Sequence, residues 1–99
     1  MILVREVFIA KPGMASKLAR MFKEMIDQEG MGRGKNAKVM TDMTGTFNKV
    51  VVEMEYEDLT NFDRDMKEYM SQPPKESDPS KPKHTDMYNE GKREIFRIW

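Results

Sequence analysis

Few side chains in this sequence can move a proton near neutral pH. His84 is the sole histidine, the residue type that ordinarily titrates there. Tyr88 follows it by four residues, one turn on if the segment is helical, and could share acid-base work. Glu6 interrupts an apolar stretch, where burial favours the neutral carboxyl and suits a general base or acid. The rival reading pairs Glu6 with a neighbouring arginine, and for His84 the rival is a solvated loop residue. Arg5 and Arg97, with Glu53 between strands, are candidate ligand-binding groups. A guanidinium can hold a carboxylate or a developing enolate with two parallel hydrogen bonds. The competing reading is a structural salt-bridge network that also takes in Glu55 and Arg93.

Other chemistries find little support. The chain has no cysteine, which removes disulfides, thiolate nucleophiles and zinc-thiolate sites together. No serine-histidine-acid set can be assembled, and one histidine without cysteine makes a poor transition-metal site. No metal and no cofactor is therefore expected. The 11 methionines raise the question of Cu(I), which thioethers suit. Met21, Met25, Met66 and Met70 fall on helical apolar stripes, however, so they read as core or pocket lining. Gly30-Met31-Gly32-Arg33-Gly34 follows a helix and leads into a strand. A dinucleotide fingerprint does the opposite, so this run reads as a connection.

The elements that position these groups follow from hydrophobic period. Alternating segments at Ile2–Ala10, Ala37–Thr44, Lys49–Tyr56 and Lys92–Trp99 predict strands, and Met14–Glu29 and Leu59–Met70 predict helices. The order is βαββαβ, a ferredoxin-like split βαβ unit with a four-stranded antiparallel sheet. The first helix shows Met14, Leu18, Met21, Phe22, Met25 and Ile26 on one face. The second shows Leu59, Phe62, Met66, Tyr69 and Met70, with Asp58 as its N-cap and Thr60–Asp63 as a variant capping box. Lys11-Pro12-Gly13 and Gly45-Thr46-Phe47-Asn48 are turns. His84 to Glu90 predicts a short helix ended by Gly91.

A single domain spans 1–99. Four of the five prolines fall within an insert at 72–83, either a lid over a site or a disordered loop. Lys plus Arg and Asp plus Glu both number 17. That zero balance, without a basic stripe interleaved with aromatics, argues against nucleic acid. No apolar run nears the roughly 20 residues of a membrane span, and the opening MILVREVFIA lacks the pattern of a signal peptide. A cytoplasmic protein is the expectation.

In the third strand Val50, Val52, Met54 and Tyr56 suit the helix side, and Phe96 and Ile98 do so in the fourth. Leu3, Val7, Ile9, Val51, Ile95 and Trp99 would then point away. Arg5, Glu53, Glu55, Arg93 and Arg97 would lie among them. An apolar second face of this kind marks an interface, and a second copy covers it most simply. A homodimer is expected.

The stretches VREVFIAKPGMASKLARMFKEM, VVVEMEYEDLTNF and MYNEGKREIFRIW resemble the dimeric α+β-barrel superfamily, particularly its antibiotic-biosynthesis-monooxygenase-like and NIPSNAP-like groups. The resemblance spans nearly the whole chain except the proline-rich insert. It implies a homodimer with sheets face to face and a ligand cavity between helices and sheet. Activities there include cofactor-independent oxygenation of polyphenols, haem degradation and lactone isomerisation. The haem-degrading pattern has an asparagine on the first strand, and a tryptophan and histidine around the second helix. This chain has Arg5 and Glu6 on the strand and neither residue in the helix, so haem degradation is not expected. Two classes stand. One is a small-molecule-binding, monooxygenase-like enzyme acting on an aromatic or enolisable substrate, with Glu6, His84 and Tyr88 as acid-base groups. The other is a non-catalytic dimeric binding or structural module.

Overall fold

The computed structural model describes residues 1–28, 34–71 and 84–99. Strand β1 (Ile2–Ala10) leads into helix α1 (Ala15–Gln28), followed by β2 (Lys35–Thr41), β3 (Lys49–Tyr56) and helix α2 (Leu59–Ser71). A single 3₁₀ turn at His84–Asp86 precedes β4 (Tyr88–Arg97). The sheet runs β2-β3-β1-β4, each neighbouring pair antiparallel. This is the ferredoxin-like βαββαβ arrangement expected from the sequence. Residues 30–33 of the glycine run at 30–34, and the proline-rich insert at 72–83, lie outside the described residues.

Turn chemistry places the elements. Gly13 adopts a φ of 80°, which glycine reaches without steric cost, and the Met14 amide donates to the Lys11 carbonyl at 2.9 Å as α1 begins. Between β2 and β3, Gly45 and Asn48 both take positive φ. Asp42 closes that hairpin by accepting the Lys49 amide at 2.8 Å, which ends β2 three residues earlier than its alternation suggests. Asp58 caps α2, accepting from the Asn61 amide at 2.8 Å. The cap thus sits ahead of Thr60, and Asp63 instead pairs with Lys67 at 2.9 Å.

Both helices cover one sheet face. Val4, Val50, Val52, Met54 and Tyr56 from the strands meet Leu18 and Phe22 of α1 and Phe62 of α2 in one buried cluster. Leu18 and Val50 are wholly enclosed, each worth about 1.5–3 kcal/mol of burial. Leu59 and Met70, expected on the buried stripe of α2, are exposed.

Strand β4 departs from the sequence reading twice. It begins at Tyr88, so the segment after His84 is one 3₁₀ turn and Gly91 lies within the strand. The expected faces are also exchanged. Directly opposed residues share a face in an antiparallel pair, and Glu6 opposes Arg93, Val4 opposes Ile95 and Ile2 opposes Arg97. Arg93, Ile95 and Arg97 therefore lie on the helix side, while Lys92, Glu94 and Phe96 share the open face with Leu3, Arg5 and Val7. Both parities of this strand carry large apolar groups, so hydrophobicity alone did not select the inward one.

Candidate functional site

A cavity of about 240 Å³ lies between the helices and the sheet. β1 contributes Val4, Glu6 and Phe8 to its wall, β3 contributes Val52, Met54 and Tyr56, and α1 contributes Phe22 and Ile26. Phe62 and Met66 of α2 and Tyr88 and Arg93 of β4 complete it. Alternation along β1 sends Val4, Glu6 and Phe8 inward together. The helical spacing of Phe22 with Ile26, and of Phe62 with Met66, aims each pair at the same space.

Aromatic rings cluster at two parts of the wall. Phe8 stands 4.8 Å from Phe22 and 4.7 Å from Tyr88, centroid to centroid. Tyr56 meets Phe62 edge to face at 5.3 Å. Gly91 opposes Phe8 across the strand pair, and a Cβ there would stand 3.1 Å from the Phe8 ring. The glycine lets that ring lie close over β4, which explains a glycine inside the strand.

The polar element is an ion pair. Arg93 donates from Nε to Glu6 Oε1 at 2.6 Å, and its guanidinium lies 5.1 Å from the Phe62 ring centroid. The Glu6 side chain is 22% exposed and that of Arg93 42%, so the pair is half out of water with one end toward solvent. Tyr56 donates its hydroxyl proton to Asp65. Burial, and then this bond, hold its phenol well above the ordinary tyrosine range. Tyr56 is therefore a neutral group at physiological pH.

The residues singled out from sequence divide between two faces. Glu6 and Tyr88 line the cavity together. Tyr88 opens a strand, so it does not follow His84 on a shared helix, and the His84 side chain lies outside the described residues. Arg5 and Glu53 stand on the open face, joined at 2.8 Å, beside a shallow hollow of about 250 Å³. Arg97 lies on the helix side near the end of β4, 6.0 Å from the Trp99 ring centroid, and is not part of the cavity wall. Arg93, expected on the opposite face, is the cationic member of the cavity. Its signal was available: an inward Glu6 on a central strand calls for an inward cation on a neighbouring one.

Among the described residues no group of three or more histidine and carboxylate side chains could hold a metal ion, and no helix is long and apolar enough to cross a membrane.

An antiparallel sheet with two helices on one face and a mainly apolar cavity beneath them defines a ferredoxin-like α+β domain. Its fold is the one seen in NIPSNAP domain proteins. A NIPSNAP domain protein from Burkholderia xenovorans superposes with a TM-score of 0.78 at 13% identity, over 100% of this chain and 95% of that one. A NIPSNAP-like domain protein from the same organism gives 0.73 at 17%, over 99% and 84%. A NIPSNAP family protein from Agrobacterium tumefaciens gives 0.71 at 9%, over 97% and 90%. No protein-family model and no curated protein matches the sequence. At these identities the likeness establishes the fold.

Proposed function

We propose that the protein is a homodimer that binds a small aromatic or enolisable molecule in the cavity beneath its helices. The carrying observation is an apolar, aromatic-walled space of about 240 Å³ with the Glu6–Arg93 pair in its wall. An apolar cavity of roughly 150 Å³ admits benzene, so this one has room for one to two rings. In a monooxygenase-like reaction Glu6 takes a proton from the substrate, and Arg93 steadies the enolate or phenolate that results. The substrate then loses two hydrogens and gains one atom of O₂, the other leaving as water. No external reductant is needed, because the substrate supplies the electrons. His84 and Tyr88 are further acid-base candidates, and Arg5, Glu53 and Arg97 further ligand-binding ones, the two arginines for an anionic group.

One observation favours the second reading, a binding protein without catalysis. The Glu6 carboxylate is already engaged by a cation at 2.6 Å, which suits a fixed polar group that orients a ligand more than a free base. Oxygen uptake with a panel of hydroquinones and β-dicarbonyl compounds, beside their binding measured by thermal shift, separates the two. Uptake with wild type and its loss in Glu6→Gln supports the enzyme. Binding without uptake leaves the binding module, and an absence of both from every compound discards the cavity as a site.

A further inference from the structure

We infer that the cavity takes an aromatic monocarboxylate, its ring among the apolar side chains and its carboxylate on the Nη1–Nη2 end of Arg93. The inference rests on the cavity reading above and narrows it to one ligand class. It holds whether or not a reaction follows binding.

Among the described residues Arg93 is the one cation in the cavity wall, and Glu6 is the one carboxylate. Two contacts fix how the guanidinium lies. Glu6, opposite Arg93 across the strand pair, accepts from Nε at 2.6 Å. Cζ lies over the Phe62 ring, 5.1 Å from its centroid, close enough for the ring to attract the cation. Glu6 is also the only acceptor that any described residue offers this group. A guanidinium carries five N–H donors in a planar fork. With its Nε edge engaged, the Nη1–Nη2 end is left to meet a second carboxylate through two parallel hydrogen bonds. Arg93 is thus aimed before a ligand arrives, which lowers the cost of ordering it on binding.

Charge sets the kind of anion. Glu6 and Arg93 sum to zero, so one added negative charge is tolerated better than two. A phosphate monoester carries about 1.5 to 2 negative charges near neutrality, and a carboxylate carries one. The Arg93 side chain is 42% exposed, so a carboxylate held there keeps part of its water. The ring goes the other way, past Phe62 and Phe8 into the space of about 240 Å³, where aromatic walls offer both edges and faces.

Isothermal titration calorimetry with benzoate, cinnamate and 2-naphthoate, each beside its primary amide, tests the inference. The amide keeps the ring and the shape but lacks the charge. Each acid is expected to bind wild type about tenfold or more tightly than its amide. In Arg93→Met that preference should vanish while the amides still bind. In Glu6→Gln the acids should bind several-fold more tightly, because the anion no longer shares Arg93 with a second carboxylate. Methionine methyl resonances locate the ring: Met54 and Met66 line the cavity and should shift, whereas Met43, 98% exposed on the hairpin, should not.

Amides that bind as tightly as the acids overturn the carboxylate and leave the cavity standing. An acid preference that survives in Arg93→Met, or binding that leaves Met54 and Met66 unmoved, overturns the assignment to Arg93. No binding by any acid or amide discards the cavity as a site, and the inference with it. Should Arg93→Met not fold, Arg93→Lys answers, since it keeps the charge and loses the fork. Most of the preference should then be lost, and its full retention overturns the two-bond grip.

Discussion

In the double-mutant cycle Glu6→Gln, Arg93→Met and the two combined, the structure sets the size of each step. A fully exposed ion pair contributes about 0.2–1 kcal/mol, and an enclosed hydrogen bond to a charged group about 1.5–3 kcal/mol. The side chains here are 22% and 42% exposed, between those limits, so a coupling of about 1–1.5 kcal/mol is expected. Glu6→Gln alone should cost about 1 kcal/mol. Arg93→Met should cost about 2 kcal/mol, because it strands Glu6 beside an apolar cavity and loses the contact with the Phe62 ring. The double variant should cost about 1.5–2 kcal/mol, well below the sum of the two. Urea unfolding followed by far-ultraviolet circular dichroism measures each corner. One protein concentration must serve throughout, since the proposed homodimer would make apparent stability depend on it. Costs that add to within about 0.3 kcal/mol would refute the pair as an energetic unit, and with it the basis for assigning Arg93 to the cavity.

Three further outcomes are expected. The raised Tyr56 phenol has a sign that can be checked: above about pH 10 the unfolded chain releases this proton while the folded chain keeps it. The native state then binds more protons and stability falls as pH rises. Tyr56→Phe should flatten that part of the pH–stability curve, and an unaltered slope would contradict the assignment. At Gly34 a Cβ would stand 2.9 Å from the Glu55 carbonyl oxygen and 3.0 Å from Met54 Cβ, and little of that can move. Gly34→Ala should therefore cost about 1–3 kcal/mol, read as a lower urea midpoint at unchanged slope. Asp58→Ala removes the α2 cap and should cost about 1 kcal/mol, with thermal denaturation as the check.

Where one face of a strand was plainly apolar, the sequence was legible to the residue. β1 and β3 begin and end where their alternation predicted. β2 was misplaced because Asp42, a side-chain acceptor that closes the hairpin, carries no hydrophobic signal. β4 was the hardest element. His84 to Glu90 reads as a short helix that Gly91 would end, and the Phe8 ring across the sheet accounts for that glycine within the strand instead. Hydrophobicity favours Phe96 and Ile98 as the inward residues of β4, whereas the pairing of Glu6 with Arg93 turns the other parity inward. The candidate site inherited that error. Glu6 and Tyr88 were found from their own chemistry, whereas Arg93 is defined by its register with Glu6. Tyr56 and Phe62 passed as ordinary core residues, and only three-dimensional packing shows that they border a cavity.

Arg5 and Glu6 are consecutive, opposite in charge, and turned to opposite faces of the central strand. β1 is apolar on both sides, so greasiness alone would let it slide against its neighbours by one residue and still bury what it must. The charges forbid the slide in either direction. Moved one way, Arg5 takes the place of Glu6 and lands beside Arg93. Moved the other, Glu6 takes the place of Arg5 and lands between Glu53 and Glu94. A two-letter polar word in the middle of a hydrophobic strand thus acts as a key for alignment. It turns a segment that would suit several pairings during folding into one that suits a single pairing.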